Sequence, residues 1–389
     1  MPIEELTRNA VDVLPEGALE AKLELGRPLR VKFGIDVTSP DIHIGRGVPL
    51  QKLRAFQDDG HRAVLIVGDY TTRIGDPSGR STERPILSDE EIDANAQLYL
   101  EQAKVILRDD PELLEVRYNG EWLSKLTYED VVRLGRIVTV ARMLERDDFE
   151  KRYRAGEPIS VSELLYPLMQ AYDSVAIEAD VELGGTDQLY NLLAGREVMQ
   201  AHGLEPQVVL TTPLLLSWDG EKMSSSVGNN IPLTAAPEEM FGRTMRIPDS
   251  QLEEWWGLVA EQPVPEGEPM AAKLELARWI VARSHGEETS AAAAEHFRRV
   301  VQRGEAPEHV QEVVVPEVAW SRADDSPVYL PAALKTWFGE TASHWRRQID
   351  QRGVKVNGEA VSSYEIDPAS LDGALVQAGK RNFRLVHLA

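Results

Sequence analysis

His43-Ile44-Gly45-Arg46 stands between a short apolar run, Val31–Ile35, and a stretch with helical patterning. A strand-to-helix corner of this kind presents the unpaired N–H groups of a helix N-terminus to an anion. Gly45 lets a ligand approach the backbone closely, and His43 would project towards a phosphate. Pro49 suits an early helical turn better than an interior one. Far downstream, after another apolar run, comes Gly220-Glu221-Lys222-Met223-Ser224-Ser225-Ser226, followed by glycine and asparagine breaks to Asn230. Serines, chain breakers and one lysine suit a loop that closes on phosphate, where Lys222 would neutralise a pyrophosphate leaving group. A third group, Tyr166, Gln170 and Asp173, falls at i, i+4 and i+7, along one face of a helix. A polar stripe amid Leu and Met needs partners and reads as the wall of a cleft for a small polar ligand. Taken singly, each group has an ordinary reading: a surface histidine, a loop with an incidental lysine, a helix with a satisfied polar face. Their coexistence in one chain favours nucleotide-dependent chemistry.

The elements that would position these residues are short apolar runs alternating with longer helical patterns. Candidate strands are Leu29–Ile35, Ala63–Val67, Leu114–Arg117, Val181–Leu183 and Val208–Leu216. The alternation predicts crossover connections and a parallel sheet of Rossmann type, an α/β fold. In such sheets ligands bind where strands end and helices begin. Residues 124–157 read as a charged helical insertion, with Val131, Val132, Leu134, Ile137, Val140 and Met143 as its apolar stripe. Helices are expected from Pro237, over Leu274–Val281 and over Ala291–Val301. Ser321-Arg322-Ala323-Asp324-Asp325-Ser326-Pro327 is polar and unpatterned. The resulting division is a catalytic domain over 1–230, a helical domain over 231–320, a linker over 321–330 and a small α+β domain over 331–389.

The 389 residues suffice for two or three domains. There is no cysteine, hence no disulfide framework or thiolate metal site. No apolar run approaches the ~20 residues of a membrane helix, and the acidic start lacks a secretory pattern; a cytoplasmic protein is expected. The net charge of −22 argues against nucleic acid as a partner of the whole surface. The charge is uneven, however. Residues 341–389 carry seven Lys or Arg against five Asp or Glu, a local balance of +2 that leaves −24 elsewhere. Arg346, Arg347, Arg352 and Lys355 cluster beside Val354-Lys355-Val356-Asn357-Gly358-Glu359, where Asn-Gly signals a hairpin. Lys380, Arg381 and Arg384 would add to that surface.

The two signatures resemble those of class I aminoacyl-tRNA synthetases, each with one departure: the first ends in Arg46 rather than a second histidine, and the second has Ser225 rather than a second lysine. The helix motif Tyr166-x3-Gln170-x2-Asp173 resembles the amino-acid pocket of tyrosyl-tRNA synthetases. Ile74-Gly75-Asp76-Pro77-Ser78-Gly79 and Ala179–Gln188, containing Gly184-Gly185-Thr186-Asp187-Gln188, resemble the bacterial subgroup.

The resemblance implies a Rossmann-type catalytic domain that forms tyrosyl-adenylate from tyrosine and ATP, with magnesium accompanying the ATP and no dedicated metal site. Transfer to tRNA(Tyr) would follow. It implies that Asp173 accepts from the tyrosine phenol, that Tyr166, Gln170 and Asp76 hold its ammonium, and that Asp36 borders the same end. Gly185 and Asp187 would meet the ribose and Gln188 the reacting carboxylate. Thr38, His43, Gly45, Arg46, Lys222, Ser224 and Ser225 would serve the nucleotide. The family position that places a second tyrosine on the phenol is Lys32 here. The resemblance also implies a homodimer through the insertion, and a tail similar to the S-four type of RNA-binding domain. The nearest alternatives are a tryptophanyl-tRNA synthetase and an RNA-binding paralogue without aminoacylation; Asp173 and the tail favour tyrosine. Arg46 would return to the site the cation that Ser225 does not supply.

Overall fold

The computed structural model describes residues 2–75, 87–225, 227–303, 306, 310–315, 327–379 and 382–388. They form two compact units: Met1–Ala236 with Arg243–Leu276, and Pro237–Gly242 with Ala277–Ala389. The first therefore runs past the boundary expected at residue 230.

The first unit is built on a six-stranded sheet: β1 (Asp12–Leu14), β2 (Arg30–Ile35), β3 (Arg62–Val67), β4 (Leu114–Tyr118), β5 (Val181–Gly185) and β6 (Val208–Thr212). Their order is β1-β6-β5-β2-β3-β4. All neighbours are parallel except β1, which runs antiparallel to β6 and had no sequence signal beyond three residues. The central strands are buried almost throughout, which is why Ala63–Val67 and Val208–Leu210 read as continuous apolar runs rather than alternations. β6 stops at Thr212, short of the strand expected to reach Leu216. The chain runs outward from β2 to β4 and returns to β5, so the direction reverses between β2 and β5. The C-terminal ends of those two strands open there, the position at which such sheets bind ligands.

The helix Ile44–Asp58 packs Leu50, Leu53 and Phe56 into a core shared with Val31, Leu65, Val67, Tyr99, Val181 and Leu210. Val161–Ile177 starts on a capping box, Ser160 Oγ accepting from Glu163 N–H while the Glu163 carboxylate accepts from Ser160 N–H. It ends where Glu178 takes a left-handed backbone, φ 49°. The insertion folds as three short helices, Tyr128–Leu134, Val140–Met143 and Asp147–Ala155. Leu134, Val138 and Met143 pack with Leu168, Ala171 and Val198.

The second unit holds a five-stranded sheet of β7 (Gln311–Val315), β9 (Val354–Val356), β10 (Glu359–Ala360), β12 (Ala374–Ala378) and β13 (Asn382–Leu388) in the order β10-β9-β12-β13-β7. Leu334, Trp337, Trp345, Ile349, Val354 and Val376 form its core. Asn357 and Gly358 both have positive φ, 49° and 84°, as a two-residue hairpin turn requires. Two boundaries need correction. β7 pairs in parallel with β13, so residues 311–315, expected in the helical domain, belong to this sheet. Val328–Tyr329 forms β8 against β11 (Glu365–Ile366), so the end of the expected linker is a paired strand; residues 321–326 lie outside the described ones. Among the described residues no helix is long and apolar enough to cross a membrane.

Candidate active site

A cleft of about 1020 Å³ lies at the C-terminal ends of β2 and β5. It gathers Asp36, Thr38, His43, Gly45, Arg46, Tyr166, Gln170, Asp173, Gly185, Asp187, Gln188, Lys222, Ser224 and Ser225 from five separate stretches of chain. Asp76 lies outside the described residues. Arg346, Arg347, Arg352 and Lys355 belong to the second unit, where all four are exposed.

His43 is the N-cap of the helix Ile44–Asp58, its Nδ1 accepting from Arg46 N–H at 3.3 Å. Burial, with Arg46 and Lys222 nearby, pushes its pKa down to about 3. The ring is therefore neutral, and with Nδ1 engaged as acceptor its proton sits on Nε2, leaving one N–H donor. Gly45 also has a packing role. A Cβ there would stand 3.2 Å from His43 Nδ1 and 3.4 Å from Met223 Cβ, and Gly45 N–H points at Met223 Sδ, 3.4 Å away. The glycine lets the loop containing Lys222 pack on the start of the helix. Pro49, the sixth helical residue, has no N–H for the Gly45 carbonyl, and both residues line the cleft.

Lys222 sits on the returning arm of a tight hairpin. Met223 N–H donates to Leu215 O at 3.1 Å, Ser217 N–H to Glu221 O at 2.8 Å, and Gly220 takes φ 82° at the tip. The Lys222 ammonium pairs with Asp187 Oδ2 at 2.5 Å, half-exposed over the cleft. Asp187 follows Gly185, where a Cβ would collide with Asp187 Oδ1 at 2.7 Å and Leu214 Cδ2 at 2.8 Å. Gln188 Oε1 accepts from Asn191 at 2.9 Å, and Arg146 of the insertion donates to Asn191 Oδ1 at 3.0 Å.

At the other end, Asp36 accepts from Tyr166 Oη at 3.1 Å and from Thr71 Oγ1 at 2.7 Å. Gly68 is required there, since a Cβ would lie 2.5 Å from Asp36 Oδ1. Gln170 Oε1 is buried and has no hydrogen-bond partner among the described residues, an acceptor placed for a donor. Asp173 is buried beneath them; Trp122 Nε1–H donates to its Oδ1 at 2.8 Å, and Asn119 Nδ2 approaches Oδ2 at 3.4 Å. Burial raises its pKa to about 7, against the opposing pull of Lys32, Trp122 and Asn119. Lys32 forms a fully buried pair with Glu182 at 2.8 Å and donates to Ser174 Oγ and Gln170 O, each at 2.8 Å. It acts under the pocket as a support for the helix that carries Gln170 and Asp173.

Asn119, Trp122, Thr71 and Asn191 received no assignment from sequence. Asn119 directly follows β4, at the C-terminal end of a strand where chemistry is expected, but nothing local marks it or Trp122 as a partner of Asp173.

The chain matches the family model described as "tRNA synthetases class I (W and Y)" over residues 24–309. It is 47% identical to the tyrosine–tRNA ligase of Deinococcus radiodurans across 99% of this chain and 96% of that protein. The corresponding protein of Moorella thermoacetica is 44% identical, covering 98% and 94%. Among solved structures, a tyrosyl-tRNA synthetase complexed with L-tyrosine from Archaeoglobus fulgidus superposes with a TM-score of 0.60 at 23% identity, over 75% of this chain and 98% of that one. At that identity the likeness concerns the fold.

Proposed function

Because the chain belongs to the class I tRNA synthetases of the W and Y family, we propose that its cleft activates tyrosine with ATP and then passes it to tRNA(Tyr). The observation that carries the choice of tyrosine is the Asp173 carboxylate, buried and aimed by Trp122 and Asn119 in the cleft that Asp36, Tyr166 and Gln170 also line. Tyr166 and Gln170 would hold the ammonium with Asp76, which lies outside the described residues, and Asp36 would border it. Three acceptors suit an ammonium with three donors. A buried carboxylate suits a phenol, and an indole ring offers its N–H at a different height.

In the first step an oxygen of the tyrosine carboxylate attacks the α-phosphorus of ATP. The bond to the bridging oxygen breaks, and pyrophosphate leaves with the electron pair. His43 Nε2–H and the Lys222 ammonium answer the charge that grows on the phosphates, with Thr38, Ser224 and Ser225 around them. Asp187 and Gly185 meet the ribose, and Gln188 holds the attacking carboxylate. A hydroxyl of the tRNA terminal adenosine then attacks the tyrosyl carbonyl and AMP departs. Neither step needs a covalent enzyme intermediate; the chain positions the reactants and stabilises charge. Magnesium would accompany the ATP, and no step here runs through it.

Tyrosine-dependent ATP–pyrophosphate exchange by the purified chain tests the reading. Exchange that depends on tryptophan, or no exchange with either amino acid, would overturn it.

Arg46 and Ser225 line the same cleft, which supports the reading that the first offsets the missing lysine of the second. In a cycle of Arg46→His, Ser225→Lys and the double variant, exchange rates should be non-additive by about 1 kcal/mol; additivity would sink the compensation.

In the second unit, Arg346, Arg347, Arg352 and Lys355 form an exposed basic face on the helix Ala342–Asp350 and the following hairpin, suited to the tRNA backbone. Arg346→Ala/Arg347→Ala should reduce the slope of log K for tRNA against log salt by about 1.5, and an unchanged slope counts against this face. Exposed Tyr128, Val140, Tyr153 and Val161 on and beside the insertion support a homodimer through that surface. Its tRNA partner sets the chain in the cytoplasm.

A further inference from the structure

The hairpin that carries Lys222 is fastened by one buried side chain. Asn229 Oδ1 accepts from Ser224 N–H at 2.8 Å, while its Nδ2 donates to Lys222 O at 3.3 Å and to the Asp219 carboxylate at 3.0 and 3.1 Å. The Asn229 carbonyl in turn accepts from Ser217 Oγ. An amide has two donor hydrogens and one acceptor oxygen, and here each is spent on a different part of the same loop. The bonds to Lys222 O and Ser224 N–H fall on either side of Met223, the residue that seats the loop on Gly45. The bonds to Asp219 reach the outgoing arm, and Asp219 also accepts from Glu221 N–H at the tip.

The base of the hairpin has anchors of its own. Trp255 Nε1–H donates to Leu216 O at 3.0 Å and Arg243 donates to Asn230 O, while nearer the tip the Arg246 guanidinium lies 4.1 Å from the Trp218 ring centroid. With the base held separately, loss of the Asn229 amide would free the arm bearing Lys222 without undoing the fold around it.

We propose that Asn229, braced by Asp219, is a positioning residue for Lys222, setting where its ammonium stands over the leaving pyrophosphate. It acts on adenylate formation alone. The assignment rests on the reading that this cleft forms tyrosyl-adenylate. In that reading Lys222 serves the phosphates while Asp173 and Gln170 serve the tyrosine, so tyrosine binding does not pass through the hairpin. Once pyrophosphate has left, the charge that Lys222 answers is gone, so transfer to tRNA does not depend on it either. Aspartate at 229 would lose the donor to Lys222 O and set a second carboxylate against Asp219. Exchanging the two residues restores an amide–carboxylate pair of opposite orientation.

The experiment uses the full-length chain with ATP, tyrosine, pyrophosphate and tRNA(Tyr). Asn229→Ala should lower kcat of tyrosine-dependent pyrophosphate exchange by about 10- to 100-fold, with the dissociation constant for tyrosine within about twofold of wild type. Single-turnover transfer from preformed enzyme-bound tyrosyl-adenylate should also stay within about twofold. In a Lys222→Ala background, Asn229→Ala should cost less than about twofold more, because the two residues act as one unit. Asn229→Asp should be impaired, and Asp219→Asn/Asn229→Asp should recover only the part due to repulsion between the two carboxylates, because the donor to Lys222 O stays lost. Unchanged exchange in Asn229→Ala overturns the assignment. So does a parallel fall in tyrosine binding and transfer, or full additivity with Lys222→Ala. A wild-type chain without tyrosine-dependent exchange overturns the functional reading itself, a separate result.

Discussion

Replacing Lys222 with alanine should lower tyrosine-dependent ATP–pyrophosphate exchange by about 100- to 1,000-fold, the range found when one preorganised donor to a developing charge is removed. Tyrosine affinity should hardly change, since the ammonium stands beside Asp187, in the part of the cleft proposed for the nucleotide. The pair with Asp187 is half-exposed, and such pairs add little to stability; thermal unfolding should stay near that of wild type. This separates a residue that answers charge in the transition state from one that holds the loop together. Lys222→Arg keeps the charge but replaces a compact point cation with a larger planar fork, so an intermediate loss is expected. His43 sharpens the argument. It is neutral because burial and two nearby cations, Arg46 and Lys222, disfavour a third charge. The end proposed for the phosphates thus has cations from Lys222 and Arg46 and a neutral donor from His43. A fall in tyrosine binding that matches the fall in exchange would show instead that Lys222 shapes the pocket.

How far the site could be read before folding depends on how local its physics is. His43 and Gly45 were legible because a chain break after an apolar strand is a local pattern with a local consequence, an exposed helix N-terminus. The Lys222 loop was legible from its run of serine, glycine and asparagine around one lysine. The stripe Tyr166, Gln170, Asp173 was legible because helical periodicity alone puts three polar groups on one face. The partners of Asp173 were not, since Trp122 and Asn119 come from the turn after β4 and meet it only through the crossover. Lys32 is an instructive middle case. In isolation it is a lysine where a relative would place a phenol-binding tyrosine. In the sheet, Lys32 and Glu182 are direct register partners on neighbouring parallel strands. Opposite charges flanked by apolar residues within two strands are a signal for pairing. A lone buried charge would be several kcal/mol too costly to keep, so the two strands that carry them must be neighbours. The β7 strand had no such signal: Val313-Val314-Val315 sits in a polar stretch, and only the sheet it joins gives it an identity.

The second large effect should come from Asp173. Its pKa near 7 means that the free chain holds a proton there through much of the acidic range, whereas an ordinary carboxylate has lost it. A tyrosine phenol that donates to Asp173 requires the ionised form, because both carboxylate oxygens already accept from Trp122 and Asn119. The KM for tyrosine should therefore be flat above pH 7 and rise by up to about tenfold per pH unit below it. The charges facing Asp173 are Lys32 on β2 and Glu182 on β5, a pair whose effects on it oppose each other, so the pH dependence belongs to Asp173. Asp173→Asn should remove that dependence and raise KM for tyrosine by more than about 100-fold, since an amide would turn a donor towards Trp122, Asn119 or the phenol. Rejection of phenylalanine should weaken with it; tyrosyl-tRNA synthetases are themselves the standard case of that discrimination. Stability should move the other way. A carboxyl whose folded pKa is raised favours the fold while protonated, and that advantage is lost as pH rises from the ordinary carboxylate range to about 7. Without tyrosine, the wild type should thus lose unfolding free energy relative to Asp173→Asn between pH 5 and pH 8, readable by denaturant titration. Saturating tyrosine should reverse part of that loss in the wild type alone, because the phenol supplies the donor that the buried anion lacks. A wild-type stability curve parallel to that of Asp173→Asn would mean that Asp173 titrates like an exposed carboxylate, and the pocket would then owe its preference for tyrosine to something other than a desolvated acceptor.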